Sequence, residues 1–130
     1  MLDFAEPEEI GLLRETARRL TDDVFRAKAA HWDRSTEAPL ENLRPLAEAG
    51  LTGITIAEEW GGAGGSVVHA VAAIEEVSRG CTATAAFILA NCVAAEVLQA
   101  FGTPAQKARF LPRLAAGETI GAWAMTEAGA

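Results

Sequence analysis

CTATAAFILANCVAAEVLQAF, running from Cys81 to Phe101, is the stretch on which the fold turns, because its apolar residues cover every side of a helix instead of forming a stripe. On a helical wheel Phe87, Ala94, Leu98 and Phe101 fall to one side, while Leu89 and Val93 fall nearly opposite. A helix apolar all round is expected to be buried by its neighbours. Its length is close to a bilayer span, but Asn91, Glu96 and Gln99 lie inside it and alanine is its commonest residue. Hydrocarbon would solvate those polar groups poorly, so the expectation is a core helix and no membrane span.

Outward from this helix, its flanks carry helix punctuation. On the N-terminal side Ser66 is placed to cap a helix whose inner face would be Val67, Val71, Ile74 and Val77, ended by Gly80. His69 lies there without a second metal ligand and reads as a surface or helix-packing residue. On the C-terminal side Gly102 ends the central helix, and Thr103-Pro104-Ala105-Gln106 restarts the chain as a capping box with proline at the first helical position. Phe110, Leu111 and Leu114 supply the buried side of that last helix, Pro112 is expected to bend or end its first part, and Gly117 closes it. Ile120, Ala122, Trp123 and Met125 then suggest an extended strand.

Further out, Pro7 with Glu8 and Glu9 starts a first helix with apolar residues at Ile10, Leu13, Ala17, Leu20 and Val24. Arg14, Arg18, Arg19, Asp22 and Asp23 fill its other face and read as solvated surface with some ion pairs. Residues 30–39 read as a polar connection, with His31 and Trp32 as structural packing. Pro39 opens a second helix carrying Leu40, Leu43, Leu46 and Ala47, closed by Gly50 in the left-handed conformation. Residues 51–66 are the least helical part. Their Gly61-Gly62-Ala63-Gly64-Gly65 run lacks the spacing of a phosphate-binding motif and reads as a flexible loop.

Half of the 130 residues are hydrophobic, enough to bury one core. A net charge of -7 with eleven scattered basic residues argues against a nucleic-acid or anionic-membrane surface. The acids Asp3, Glu6, Glu8 and Glu9 stand where a signal peptide would be basic and then apolar, so cytoplasmic location is the expectation. Cys81 and Cys92, on one helix, would lie about 16 Å apart, beyond the roughly 7 Å a disulfide tolerates. Both are expected to be reduced core residues, and no metal site is expected.

Four separated stretches resemble the acyl-CoA dehydrogenase family. They are Phe101-Gly102-Thr103-Pro104-Ala105-Gln106-Lys107-Ala108-Arg109-Phe110-Leu111-Pro112 with Leu114-Ala115-Ala116-Gly117-Glu118, then Ala124-Met125-Thr126-Glu127-Ala128-Gly129-Ala130, the loop Glu58-Glu59-Trp60-Gly61-Gly62, and Asn91-Cys92. The resemblance implies an all-α domain over residues 1–118, a bundle of about five to six helices around the buried central helix. Residues 119–130 would then hold the first β-strand of a following β-domain, as though a second domain had been left off.

The resemblance also implies a flavoenzyme that holds FAD and removes the α and β hydrogens of an acyl-CoA thioester. A carboxylate takes the α-proton, and the β-hydride goes to the flavin. By family position Trp123, Met125, Thr126 and Gly129 would contact FAD, while Ala85, Ala86, Leu89 and Val93 would line the acyl slot. The family's catalytic glutamate belongs to a later helical domain, so no catalytic residue is expected here and the fragment alone should be inactive. Electron-transfer flavoprotein is the implied electron acceptor and a homotetramer the implied assembly. Departures at Ala57, Trp60, Trp123 and Ala128 bear on the substrate class. Two other readings remain open at this point: a flavin-dependent monooxygenase or oxidase on the same fold, and a cofactor-free helical interaction module.

Overall fold

A computed structural model describes residues 7–129, so Asp3 and Glu6 of the acidic N-terminus and Ala130 of the last matched motif lie outside the described residues. The helices are α1 (Glu8–Leu20), α2 (Ala29–Arg34), α3 (Leu43–Glu48), α4 (Val67–Ser78), α5 (Thr82–Phe101) and α6 (Pro104–Ala115). α1 and α4 pack together, α4 packs on α5, and α6 also packs on α5. One apolar cluster joins Ala17, Phe25, Leu46, Ile54, Val77 and Ile88, and a smaller one joins Ile56, Ala95, Leu111 and Leu114.

The punctuation of the sequence holds. Gly50 leaves α3 at φ 73° and Gly117 leaves α6 at φ 67°. At the end of α6 the Gly117 amide donates to Leu114 O and the Glu118 amide to Arg113 O, the paired bonds of a glycine-terminated helix. At its start the Gln106 amide donates to the Thr103 hydroxyl at 3.3 Å and the Thr103 amide to Gln106 Oε1 at 2.8 Å. α6 runs as one helix through Pro112, so of the expected bend or end the proline does not supply an end. The buried Leu111, Leu114 and Ala115 hold the two sides of Pro112 on one core.

Periodicity misplaced two faces. In the first helix the stripe reaches Leu20, but Val24 is exposed and Phe25 is fully buried in its place. A single π-helical turn at Thr21–Phe25 takes up one extra residue and turns the register. Thr21 anchors that turn, its hydroxyl donating to Ala17 O at 2.7 Å. Its Cγ2 fills the space beside Gly80, where an added Cβ would meet it at 2.2 Å. In α4 the expected inner residues Val77 and Ile74 face the core, but Val67 and Val71 are exposed, and Ala70, Ala72, Ala73 and Glu76 are buried in their place. Small side chains let α4 approach α1 and α5 closely, which longer ones would prevent.

Residues 29–34 form the short helix α2 where a connection was expected, and His31 and Trp32 pack edge to face at 4.7 Å between ring centres. Leu40 stands exposed, and it is Asn42 that turns inward, donating to Thr84 Oγ1 at 2.8 Å. The glycine run is ordered by five backbone bonds, which corrects its reading as a flexible loop. The amides of residues 61–65 donate to the carbonyls of Glu58, Ala57, Gly53, Ile56 and Ile54 in turn. Gly62 is required by close approach, since a Cβ there would stand 2.0 Å from Ile56 O. With every amide engaged, the run has no donors left for a phosphate. His69 serves the next helix, its Nδ1 accepting from the Ser66 amide at 3.1 Å at the start of α4.

Among the described residues there is no strand. Residues 120–127 carry no regular secondary structure, so the β-strand expected there is not shown; a strand needs a partner ladder, and the described residues hold none.

Candidate functional site

The central helix is only half covered. Thr84, Ala85, Phe87, Ile88, Asn91 and Ala95 are buried, but Ala86 and Leu89 are exposed and Ala90, Val93 and Val97 are half-buried. Their spacing places these five on one stripe along α5. The expectation of burial on all sides is therefore corrected: the surrounding helices cover one side of α5 and leave an apolar seam open. Leu89 is 54% exposed, while Ala85 is 2% exposed and faces the core. Of the four residues assigned to an acyl slot, the structure brings Ala86, Leu89 and Val93 together and turns Ala85 away. Glu96 is exposed at the margin of the stripe.

Asn91 and Gln99 tie α5 to its neighbours. Gln99 Nε2 donates to Thr55 O at 3.0 Å, and its Oε1 accepts from the Ala57 amide at 2.8 Å. Asn91 is fully buried; its Nδ2 donates to Thr52 O and to Leu114 O, each at 3.3 Å, and its Oδ1 accepts from the Gly121 amide at 2.8 Å. A buried amide satisfied on both ends fixes the elements it joins, because leaving either end unpaired is costly. α5 is long and apolar enough to cross a bilayer, but these ties spend its polar groups on the rest of the bundle.

The bond to Gly121 lays the C-terminal segment against α5. A Cβ at Gly121 would stand 2.5 Å from Ala94 Cβ and 2.7 Å from Ala90 O, so only glycine permits the approach. From there the chain leads Trp123 to a groove of about 320 Å³ that it lines with Ala94, Val97, Leu98, Phe110 and Ala122. Met125, Thr126 and Gly129 follow, all exposed. Thus Trp123 reaches the edge of the α5 stripe, and the other three expected flavin contacts lie further along the same segment. Among the described residues the backbone amides of Trp123, Met125 and Thr126 donate no hydrogen bond. Free amides, the exposed Thr126 hydroxyl and an exposed indole suit part of the polar edge and face of an isoalloxazine ring.

Sequence reasoning gave Gly121 no role. A lone glycine in an extended apolar run was the available signal, since it marks a close backbone approach. Asn91 was noticed as a polar residue and as part of a motif, but its three partners could not be read locally. Cys81 is buried and Cys92 half-buried, both free. Burial pushes the Cys92 thiol up from its ordinary value.

Bundle, open seam and pinned segment together define an all-helical domain with one apolar face of its central helix left open. The chain belongs to the acyl-CoA dehydrogenase family: residues 7–118 match that family's N-terminal domain. It is 36% identical over 129 residues to acryloyl-CoA reductase (NADH) of Anaerotignum propionicum, covering 99% of this chain and 33% of that protein. It is 35% identical over 130 residues to the short-chain specific acyl-CoA dehydrogenase of Clostridium acetobutylicum, covering 99% and 34%. Among solved structures, butyryl-CoA dehydrogenase from Megasphaera elsdenii superposes with a TM-score of 0.82 at 25% identity, covering 92% of this chain and 32% of that one. A chain in a structure of the electron transferring flavoprotein of Acidaminococcus fermentans superposes with 0.91 at 28% identity, covering 99% and 34%. The chain therefore spans about a third of the length of the relatives it matches.

Proposed function

We propose that this chain is the N-terminal part of an FAD-dependent acyl-CoA dehydrogenase that desaturates an acyl-CoA thioester between its α and β carbons. The observation that carries the reading is the juxtaposition at Ala94: the open stripe of Ala86, Leu89 and Val93 runs along α5 beside the segment that begins at Gly121 and bears Trp123. Ala86 leaves room for an acyl chain, and Leu89 and Val93 present methyl groups to it, so the stripe would bind and orient the substrate's tail and exclude water from it. Trp123 would pack beside the flavin, with the amides of Met125 and Thr126 and the Thr126 hydroxyl donating to its polar edge and Gly129 in the turn that follows. Bound FAD supplies a two-electron acceptor for the hydrogen leaving the acyl β-carbon.

Residues 119–130 would open the β-domain that follows. An electron-transferring flavoprotein as acceptor, a homotetrameric assembly and a cytoplasmic location complete the proposal. The acyl-CoA chemistry is supported by the names of the relatives, which concern acyl-CoA compounds. The resemblance to acryloyl-CoA reductase favours a short acyl chain and admits reduction of the same bond as the working direction.

The test is a visible spectrum of the protein expressed from its natural reading frame, followed by anaerobic titration with acyl-CoAs of increasing length. A flavin band that one of them bleaches is the expected result. A flavin band that none bleaches would move the reading to the oxygen-using relatives, and a colourless protein that takes up no FAD would overturn it.

A further inference from the structure

We infer that Asn91 is a positioning residue that sets the distance between the acyl-lining stripe of α5 and the segment proposed to contact FAD, with Gly121 as its counterpart; this rests on the function proposed above. Three elements meet at one side chain. Asn91 Nδ2 holds the loop carbonyl of Thr52 and the last-turn carbonyl of Leu114, so the side chain cannot rotate without losing both. That fixes Oδ1 in direction, and Oδ1 is what receives the Gly121 amide at 2.8 Å. The bond carries weight because it is the described hydrogen bond that ties the segment beyond Glu118 to the bundle.

Contact on the other side of Gly121 has no slack. The positions of Ala90 O and Ala94 Cβ leave no volume for a methyl group, so the segment lies directly on the helix backbone. Asn91 is thus one residue from Ala90 and two from Val93, and it controls where the chain turns toward Trp123. A shift at this point moves the flavin-side groups relative to Ala86, Leu89 and Val93, the pair of surfaces between which the reacting carbons would lie. Errors of about 1 Å in such a geometry cost on the order of a hundredfold in rate.

Two variants separate positioning from stability, studied in the protein expressed from its natural reading frame. Gly121→Ala leaves the bonds of Asn91 to Thr52 and Leu114 intact while pushing the segment off α5. Thr52→Val removes a different buried bond of the same junction, the hydroxyl that donates to Ala115 O at 2.7 Å, and leaves the segment in place. Three readouts are taken: hydrogen exchange over residues 118–126 by mass spectrometry, FAD affinity of the apoprotein, and thermal unfolding. Gly121→Ala is expected to speed exchange in that peptide and weaken FAD by about tenfold or more, with unfolding close to the parent's. Thr52→Val is expected to lower the unfolding temperature and leave the other two unchanged. Asn91→Ala is expected to do both.

Unchanged exchange in Gly121→Ala would overturn the inference, because the segment would not be held there. Faster exchange with unaltered FAD affinity would overturn it as well, since the tie would not serve the flavin side. Failure of the underlying function is a separate result, seen as a parent protein that takes up no FAD.

Discussion

Arg18 grips Glu76 with two parallel hydrogen bonds, Nε to Oε2 at 3.0 Å and Nη2 to Oε1 at 2.8 Å, joining α1 to α4. Arg79 adds a bond to Oε2 at 2.8 Å, and Arg14 stands 3.7 Å from Oε1 while pairing with Glu75 at 2.7 Å. Glu76 is the buried member, its side chain 6% exposed, while the guanidinium groups of Arg18 and Arg79 reach water. The Arg18 hydrogen bonds, against the penalty of burial, hold the Glu76 carboxyl below its ordinary 4.5, at about 2.

From that arrangement Glu76→Gln should destabilise the protein by about 2 kcal/mol at neutral pH, at the low end for a broken buried pair because the arginines can be rehydrated. The folded value lies below the unfolded one, so this stabilisation is complete above about pH 5 and is lost as pH falls toward 2. Denaturant unfolding of parent and variant at pH 7 and pH 2.5 should show the gap closing at the lower pH. A gap of equal size at both would refute the ionic origin.

Neighbouring alanines should respond oppositely. Ala85 faces the core, so Ala85→Leu should overpack it and cost about 1 to 3 kcal/mol. Ala86 lies on the open stripe, so Ala86→Leu should change stability by less than about 0.5 kcal/mol. On the proposed function it should lower kcat/KM for longer acyl-CoAs by about tenfold or more while sparing the shortest. If both variants are equally unstable, or if Ala86→Leu reduces all chain lengths alike, the stripe is not a slot wall.

Gly50 and Gly117 share a left-handed conformation but not a neighbourhood. Around Gly50 an added Cβ meets nothing within 4 Å, whereas at Gly117 it would stand 2.8 Å from Ala47 Cβ. Gly50→Ala should therefore cost only the backbone strain, about 1 kcal/mol, and Gly117→Ala roughly twice that or more. Thermal unfolding that ranks them the other way would contradict the packing between α3 and the end of α6.

The cysteines should be slow to react. Cys81 is buried at the start of α5, and burial raises the Cys92 thiol pKa, so little thiolate is present at pH 8. A disulfide reagent should modify the native protein at least about a hundredfold more slowly than the urea-unfolded chain. Rapid native labelling of one equivalent would show Cys92 to be open.

Local signals carried much of the fold. The capping box at Thr103 and Gln106, the left-handed glycines at 50 and 117 and the helical character of α1 and α5 each depend on residues a few positions apart, and each held. The stretches resembling a family were contiguous runs, readable without coordinates. Where two faces were misplaced, the cause was non-local. Val24 gave way to Phe25 because a π turn beside Gly80 altered the register, and Val67 and Val71 of α4 turned outward while alanines took the buried positions.

The sequence by itself thus determined that this is a helical domain, where most of its helices begin and end, and which family it belongs to, because these follow from periodicity, capping chemistry and contiguous motifs. Only the tertiary structure decided that one side of α5 stays open, that Ala85 and Ala86 part company, that Glu76 is buried among arginines, and that Asn91 meets Gly121. Each of those depends on which groups come together across distant positions of the chain, from 23 for Asn91 and Leu114 to 58 for Arg18 and Glu76, and no local pattern specifies such a meeting.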